Sequence, residues 1–148
     1  MKRWLKFEDN RQVLTMRHLK IAGLIAVLGA TPASALQPLH ENPTVVRGFY
    51  AIGLADEVRK NCETISPRML RAYNYLRALH KWARTQGYSD EQIKELTDNK
   101  EEKRALRARI RADLADRGAS PENPEGYCTV GREEIAKGSV AGKLLRAR

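Results

Sequence analysis

Residues 66–87 read SPRMLRAYNYLRALHKWARTQG. Ser66 is a good helix N-cap and Pro67 a good first helical residue, so the spacing predicts a helix opening here. From Arg68 to Gln86, Met69, Tyr73, Leu76, His80 and Ala83 recur on one stripe, widened by Leu70 and Leu79. That stripe is expected to face a core, with Gly87 as the C-terminal cap. No stretch alternates as a strand would, and no internal repeat is visible. The fold class is all-α: a small orthogonal bundle of about five helices tied by one disulfide.

Upstream, Leu36 to Pro43 holds two prolines and reads as an extended arm. Thr44 can cap a first helix running to about Asn61, with Val45, Phe49, Ile52 and Val58 on its buried face. Gly48 and Gly53 fit close helix contact, and Asp56, Glu57, Arg59 and Lys60 form its solvated side. Downstream, Ser89 and Gln92 make a capping box for a third helix carrying Ile93 and Leu96. Asp98 and Asn99 interrupt it. Lys100 to Arg117 forms a fourth helix with Leu106, Ile110 and Leu114 at four-residue spacing, stopped by Gly118. Its acids come early and its arginines late, as the helix dipole favours. A proline-rich loop, Ala119 to Gly126, leads to a fifth helix from Tyr127 to about Lys137, with Val140 to Leu145 as its continuation. Gly138 and Gly142, four apart, would permit a close helix contact or a flexible helix end.

Residues 1–35 read as an N-terminal extension followed by a cleavable signal peptide. Arg17, His18 and Lys20 precede the apolar run Ile21 to Leu28, and Ala33-Ser34-Ala35 is a small-x-small cleavage site. The run is far shorter than the roughly 20 residues that cross a bilayer. Pro32 ends any helix before the cut between Ala35 and Leu36. Glu8, Asp9 and Asn10 suit a signal n-region poorly, which makes Met16 the expected effective start. Cleavage leaves a single helical domain, 36–148. Of the 27 basic and 18 acidic residues, six and two lie in the leader, so the net charge falls from +9 to +5. That excess is moderate and suits weak attraction to anionic surfaces. The expected location is the periplasm.

Cys62 and Cys128 are the two cysteines. In an exported chain an even count points to a disulfide. Closing a 66-residue loop is worth roughly 4 kcal/mol in the chain-entropy model. No Cys-x-x-Cys motif supports a redox pair. A zinc set of Cys62, Cys128, His40 and His80 matches no ligand spacing.

Candidate chemistry is thin, and no catalytic, cofactor or metal residue is assigned. Arg77, Lys81 and Arg84 share one face of the second helix, and Arg104, Arg107 and Arg111 share one face of the fourth. These six residues read either as a basic contact surface for phosphate, lipid headgroups or an acidic protein, or as solvated faces with nearby acids. After export, nucleic acid is a poor fit, and no recognised motif supports it. Tyr75 and Trp82 lie seven apart, aligned at a core edge or a contact surface; Tyr73 cannot share their stripe. His80 reads as a hydrogen-bonded core residue, with no nucleophile or carboxylate set to work beside it. Asp56 and Glu57 point about 100° apart and form no acid pair.

Three segments carry a resemblance: GFYAIGLADEVRKNC over 48–62, SPRML over 66–70 and YCTVGREEIAKGS over 127–139. Together they resemble a family of small exported proteins of unknown function from Rhodobacter-like alphaproteobacteria, from about Pro43 to Leu145. The resemblance implies a periplasmic location and pairing of Cys62 with Cys128, and it supplies no activity. The 15 residues before Met16 depart from it. The expected function is therefore binding or structural association, with an envelope protein or anionic surface as candidate partner. An acid-type periplasmic chaperone is the alternative. A cell-envelope hydrolase or a membrane-surface protein is a further reading.

Overall fold

The structure, a computed structural model, describes residues 36–148; the proposed leader, with Ala35 of its cleavage site, lies outside the described residues. In chain order the elements are α1 (Pro43–Asn61), β1 (Ile65–Pro67), α2 (Met69–Thr85), α3 (Asp90–Asp98), α4 (Lys100–Asp116), α5 (Glu125–Lys137), α6 (Val140–Lys143) and β2 (Leu145–Ala147). The chain is thus predominantly helical, as expected, with a sixth short helix and a two-stranded ribbon added.

α1 is the central element and packs against α2, α4, α5, α6 and β1. Its cap is Asn42 rather than Thr44; the Asn42 side chain accepts a hydrogen bond from the Thr44 backbone N–H. The buried face runs through Val45, Gly48, Ala51, Leu54, Ala55 and Val58, so small residues do much of the contacting. Gly48 and Gly53 do permit close approach, to Leu79 of α2 and Ile110 of α4 respectively. Phe49 and Ile52 are only half-buried. Glu57, expected in solvent, is buried where α4 crosses α1, and it accepts a hydrogen bond from Arg111 Nε at 3.3 Å. Asp56 stays on the outer side with Arg59 and Lys60. Burial pushes its carboxyl up, but the hydrogen bonds from Lys60 and Arg59 outweigh this and hold it below the usual carboxylate range.

Cys62 follows α1 and Cys128 lies in the first turn of α5. They form a disulfide with a Cα–Cα distance of 5.1 Å. Both residues belong to the main core, together with Val58, Ile65, Ile110, Leu114, Val130 and Leu145. A second, smaller core holds Leu39, Val45, Leu79, Ala83 and Tyr88.

Ser66 and Pro67 do not open a helix. They lie in β1, which pairs antiparallel with β2 in the register Ile65↔Ala147, Ser66↔Arg146, Pro67↔Leu145. The pairing extends to Arg68 N–H on the Leu144 carbonyl, and α2 starts only at Met69. Three-residue strands are too short to alternate visibly, and both partners sit at helix ends. The fifth helix likewise stops at Lys137, because Gly138 turns left-handed at φ 61°. α6 then folds back so tightly that a Cβ at Gly142 would overlap the Glu134 carbonyl. The arm is not extended. It turns on the Pro38 carbonyl and is held by Leu39 burial and by Tyr88, whose hydroxyl donates to the Gln37 carbonyl at 2.6 Å.

A polar chain links four helices. The Tyr50 hydroxyl of α1 donates to Asp113 Oδ2 at 2.5 Å, and Arg117, next to α4, donates to Glu133 and Glu134 of α5 at 3.1 and 2.8 Å. Ser139 donates to Glu134 and accepts from the Gly142 backbone N–H. Burial works against the Arg117 charge, but its hydrogen bonds to Glu133 and Glu134 hold its pKa above the ordinary arginine value. Burial, and next the bond to Asp113, push the Tyr50 phenol up to about 12.

Two measurements test these ties. Reduction, or Cys62→Ser with Cys128→Ser, should lower the melting temperature by roughly 15 °C, given about 4 kcal/mol from the crosslink. Equal melting points for the oxidised and reduced protein would remove the crosslink from the stability argument. In a spectrophotometric titration, a phenol should ionise only near pH 12, and Tyr50→Phe should abolish that phase. The folded-state pKa is the higher one, so Tyr50 contributes fully below about pH 10 and its contribution is lost as the pH rises to 12.

Candidate functional site

Of the stripe read as the buried face of α2, Leu79 and Ala83 are buried as expected, but the rest of it is exposed. Met69, Leu70, Tyr73 and Leu76 are 67%, 72%, 58% and 40% exposed. The residues turned inward are Ala72 and Tyr75 against the main core, and Leu79, Trp82 and Ala83 in the second. The inward face thus keeps Leu79 and Ala83 but takes Ala72, Tyr75 and Trp82 in place of Met69, Tyr73 and Leu76. Two contacts set that phase. The ribbon fixes where α2 begins, and the Leu79 side chain fills the notch that Gly48 leaves in α1. With Leu79 seated there, Leu76 is turned aside and left with no helix packed over it.

Beside that unpartnered side runs an apolar cleft. α1 gives its floor through Val45 and Phe49; α2 contributes Leu76, α3 Leu96 and Thr97, and α4 Leu106. Its volume is about 500 Å³, within the range of small-molecule sites. A neighbouring hollow of about 290 Å³ shares Val45, Phe49, Leu76 and Leu96 with it and extends under Tyr73. Another, of about 400 Å³, continues from Phe49 and Leu76 toward Met69, Ile52 and Leu106. Phe49 and Leu76 are common to all three, so they mark the centre of one apolar valley. The polar residues of the 500 Å³ cleft are His40, Thr97, Glu102, Lys103 and Arg109, and the two neighbouring hollows add Arg77 and His80 on one side and Asp56, Glu57, Arg59 and Arg107 on the other. Arg109 lies over the Tyr50 ring, 5.8 Å from the centroid, a cation–π contact.

The six basic residues separate into distinct places. Arg77, Lys81 and Arg84 border a shallow depression on α2 with Asn74 and His80. Arg107 and Arg111 border a polar hollow with Glu57, Lys60 and Tyr127. Arg104 pairs with Glu101 at 2.7 Å, Arg84 approaches Asp90 at 3.6 Å, and Arg111 holds Glu57. Arg77 stacks on Tyr73 at 5.7 Å. Among the described residues, Lys81 and Arg107 have no carboxylate within 4.0 Å. The two stripes meet in no single hollow, although Arg77 and Arg107 each border a hollow adjoining the apolar cleft.

His80 is not a core histidine. It is exposed, 3.7 Å from Asp90. Tyr75 and Trp82 do align at the core edge. The two cysteine sulfurs are joined to each other and offer no thiolate to a metal, and His40 stands at the cleft. Among the described residues no group of three His, Cys, Asp or Glu is placed to hold a metal ion. No described helix is long and apolar enough to cross a membrane. Leu36, first residue after the expected cut, is exposed beside Gly87.

Sequence reasoning missed the cleft itself. Phe49 was assigned to the core, and Lys103 and Arg109 to no role. One signal was present: Lys103 and Arg109 lie three residues on either side of Leu106, so both flank its face.

The chain belongs to the family of unknown function DUF5333, whose model matches residues 37–146. No curated protein and no solved structure matches it.

Proposed function

We propose that this DUF5333 protein is a non-catalytic binding protein of the periplasm, and that the valley centred on Phe49 and Leu76 is where it binds. The observation that carries this reading is the uncovered apolar side of α2 beside that concave floor. Contiguous exposed apolar surface rimmed by polar groups is the usual mark of a binding site. A hydrolytic reading has no matching support, since the valley's polar groups stand at its edge around an apolar floor.

Residues 1–35 act, on this reading, as a leader removed between Ala35 and Leu36, leaving 36–148 as one domain. Support comes from the Cys62–Cys128 disulfide, a bond that persists in oxidising compartments. The envelope of a Rhodobacter-like alphaproteobacterium, the source implied by the resemblance of the sequence, is such a compartment.

Two further readings each rest on an observation. The exposed Met69, Leu70 and Tyr73 would suit capture of unfolded clients, as in an acid-type chaperone. The Arg77, Lys81 and Arg84 stripe on the same helix would suit an anionic membrane surface or an envelope protein.

Export is tested by expressing the full chain with its own N-terminus and weighing the periplasmic product. The expected mass is that of Leu36 to Arg148 with the disulfide formed; retention of the whole chain in the cytoplasm would refute the leader. Binding is tested with an apolar fluorescent dye, anilinonaphthalene sulfonate. Saturable enhancement should occur at neutral pH and fall at least fivefold in Leu76→Asp, with only a small fall in melting temperature because Leu76 is already 40% exposed. Absence of saturable binding in the wild type would overturn the cleft reading.

A further inference from the structure

The reading of the valley as a binding site leaves its ligand open, and the charges around it narrow the choice. The floor at Val45, Phe49 and Leu76 offers apolar contact and no polar group to satisfy. The shared floor also makes the hollow beneath Tyr73 a lengthwise continuation of the cleft rather than a separate site. An elongated apolar body fits that shape better than a compact ring system.

Two cations stand at the mouth, both on α4. Lys103 and Arg109 are exposed, and among the described residues neither has a carboxylate within 4.0 Å. Arg109 is steadied by its contact with the Tyr50 ring, so its charge is held near the cleft at reduced entropic cost. One acid shares the mouth. Glu102 lies seven residues before Arg109, about 10 Å along the helix at 1.5 Å per residue. Lys103 has Glu102 beside it and Asp98 near enough to feel its charge, so Arg109 is the less compensated cation of the mouth. The mouth suits a monoanion; the second charge of a dianion would face Glu102.

We propose that the valley takes a single-chain anionic amphiphile of the fatty-acid type, with its alkyl chain along Phe49 and Leu76 and its carboxylate at Arg109 and Lys103. The inference rests on the binding reading above and names its ligand class. The alkyl chain supplies the affinity, and the ion pairs at the mouth select the head group. Partly exposed pairs contribute modestly, and two together select by about tenfold.

The test is calorimetric titration of the oxidised full-length protein, below micelle-forming concentrations, with laurate, dodecanol and dodecyl phosphate. Laurate should bind one to one, about tenfold tighter than dodecanol and tighter than dodecyl phosphate. The double variant Lys103→Glu, Arg109→Glu should lose about tenfold for laurate while dodecanol affinity and melting temperature hold. Leu76→Asp should lose both ligands. Equal affinity for laurate and dodecanol, or no effect of the double variant, overturns the head-group assignment while dye binding keeps the cleft reading intact. Tighter binding of dodecyl phosphate overturns the carboxylate. Binding to anionic vesicles with no one-to-one uptake of laurate overturns the proposal in favour of surface association through α2. Failure of every ligand together with the dye removes the cleft reading as well.

Discussion

The bond between Cys62 and Cys128 sits in the middle of the main core, where the end of α1 meets the start of α5. About 110 residues give a modest apolar interior, and here that interior is divided in two. A crosslink closing 66 residues contributes roughly 4 kcal/mol, small beside the whole folding entropy but a large share of a net stability of about 5–15 kcal/mol. Ile65, three residues after Cys62, pairs with Ala147, so the ribbon lies next to the crosslinked end of α1. Ile65 to Pro67 leave the crosslinked end of α1, and Leu145 to Ala147 return from α6 to pair antiparallel with them. The ribbon in turn sets the first residue of α2.

The polar chain from Tyr50 through Asp113 and Arg117 to Glu134 does on the other flank what the disulfide does here. It joins α1, α4, α5 and α6 through groups that would be costly to bury unpaired. Among the described residues no buried side-chain nitrogen or oxygen lacks a partner. α1 and α5 are therefore held twice, covalently and by hydrogen bonds, and α4 and α6 by hydrogen bonds alone. α2 has neither tie along its length. It is fixed at its start by the ribbon and along its length by Leu79 in the Gly48 notch, and its opposite side faces water. An apolar surface left open on an otherwise well-satisfied domain is where function is expected, and the valley lies there.

Several elements were legible because their determinants are local. The Ser89–Gln92 capping box, the Asn99 break, the Gly118 stop and the Leu106–Ile110–Leu114 spacing each involve residues within one or two turns. The pairing of the two cysteines was legible from number and expected compartment. The cleft was not. Its walls come from four helices, and Phe49, Leu76, Leu96 and Leu106 share no sequence neighbourhood. Glu57 is the same kind of case: its burial depends on α4 crossing α1, which no window around residue 57 contains.

By itself the sequence determined that the chain is helical, where most helices begin and end, and that the domain is closed by a disulfide. Helical propensity, caps and glycine stops act within a few residues and need no partner. The tertiary structure decided which side of α2 turns inward. Leu79 and Ala83 turn inward as periodicity expects, but toward the start of the helix Met69–Tyr73–Leu76 competes with Ala72–Tyr75, and periodicity scores both. The notch at Gly48 and the ribbon at Arg68 chose the second, because contacts from residues distant in sequence fix the rotation of a helix about its own axis. The rejected stripe became the wall of the valley.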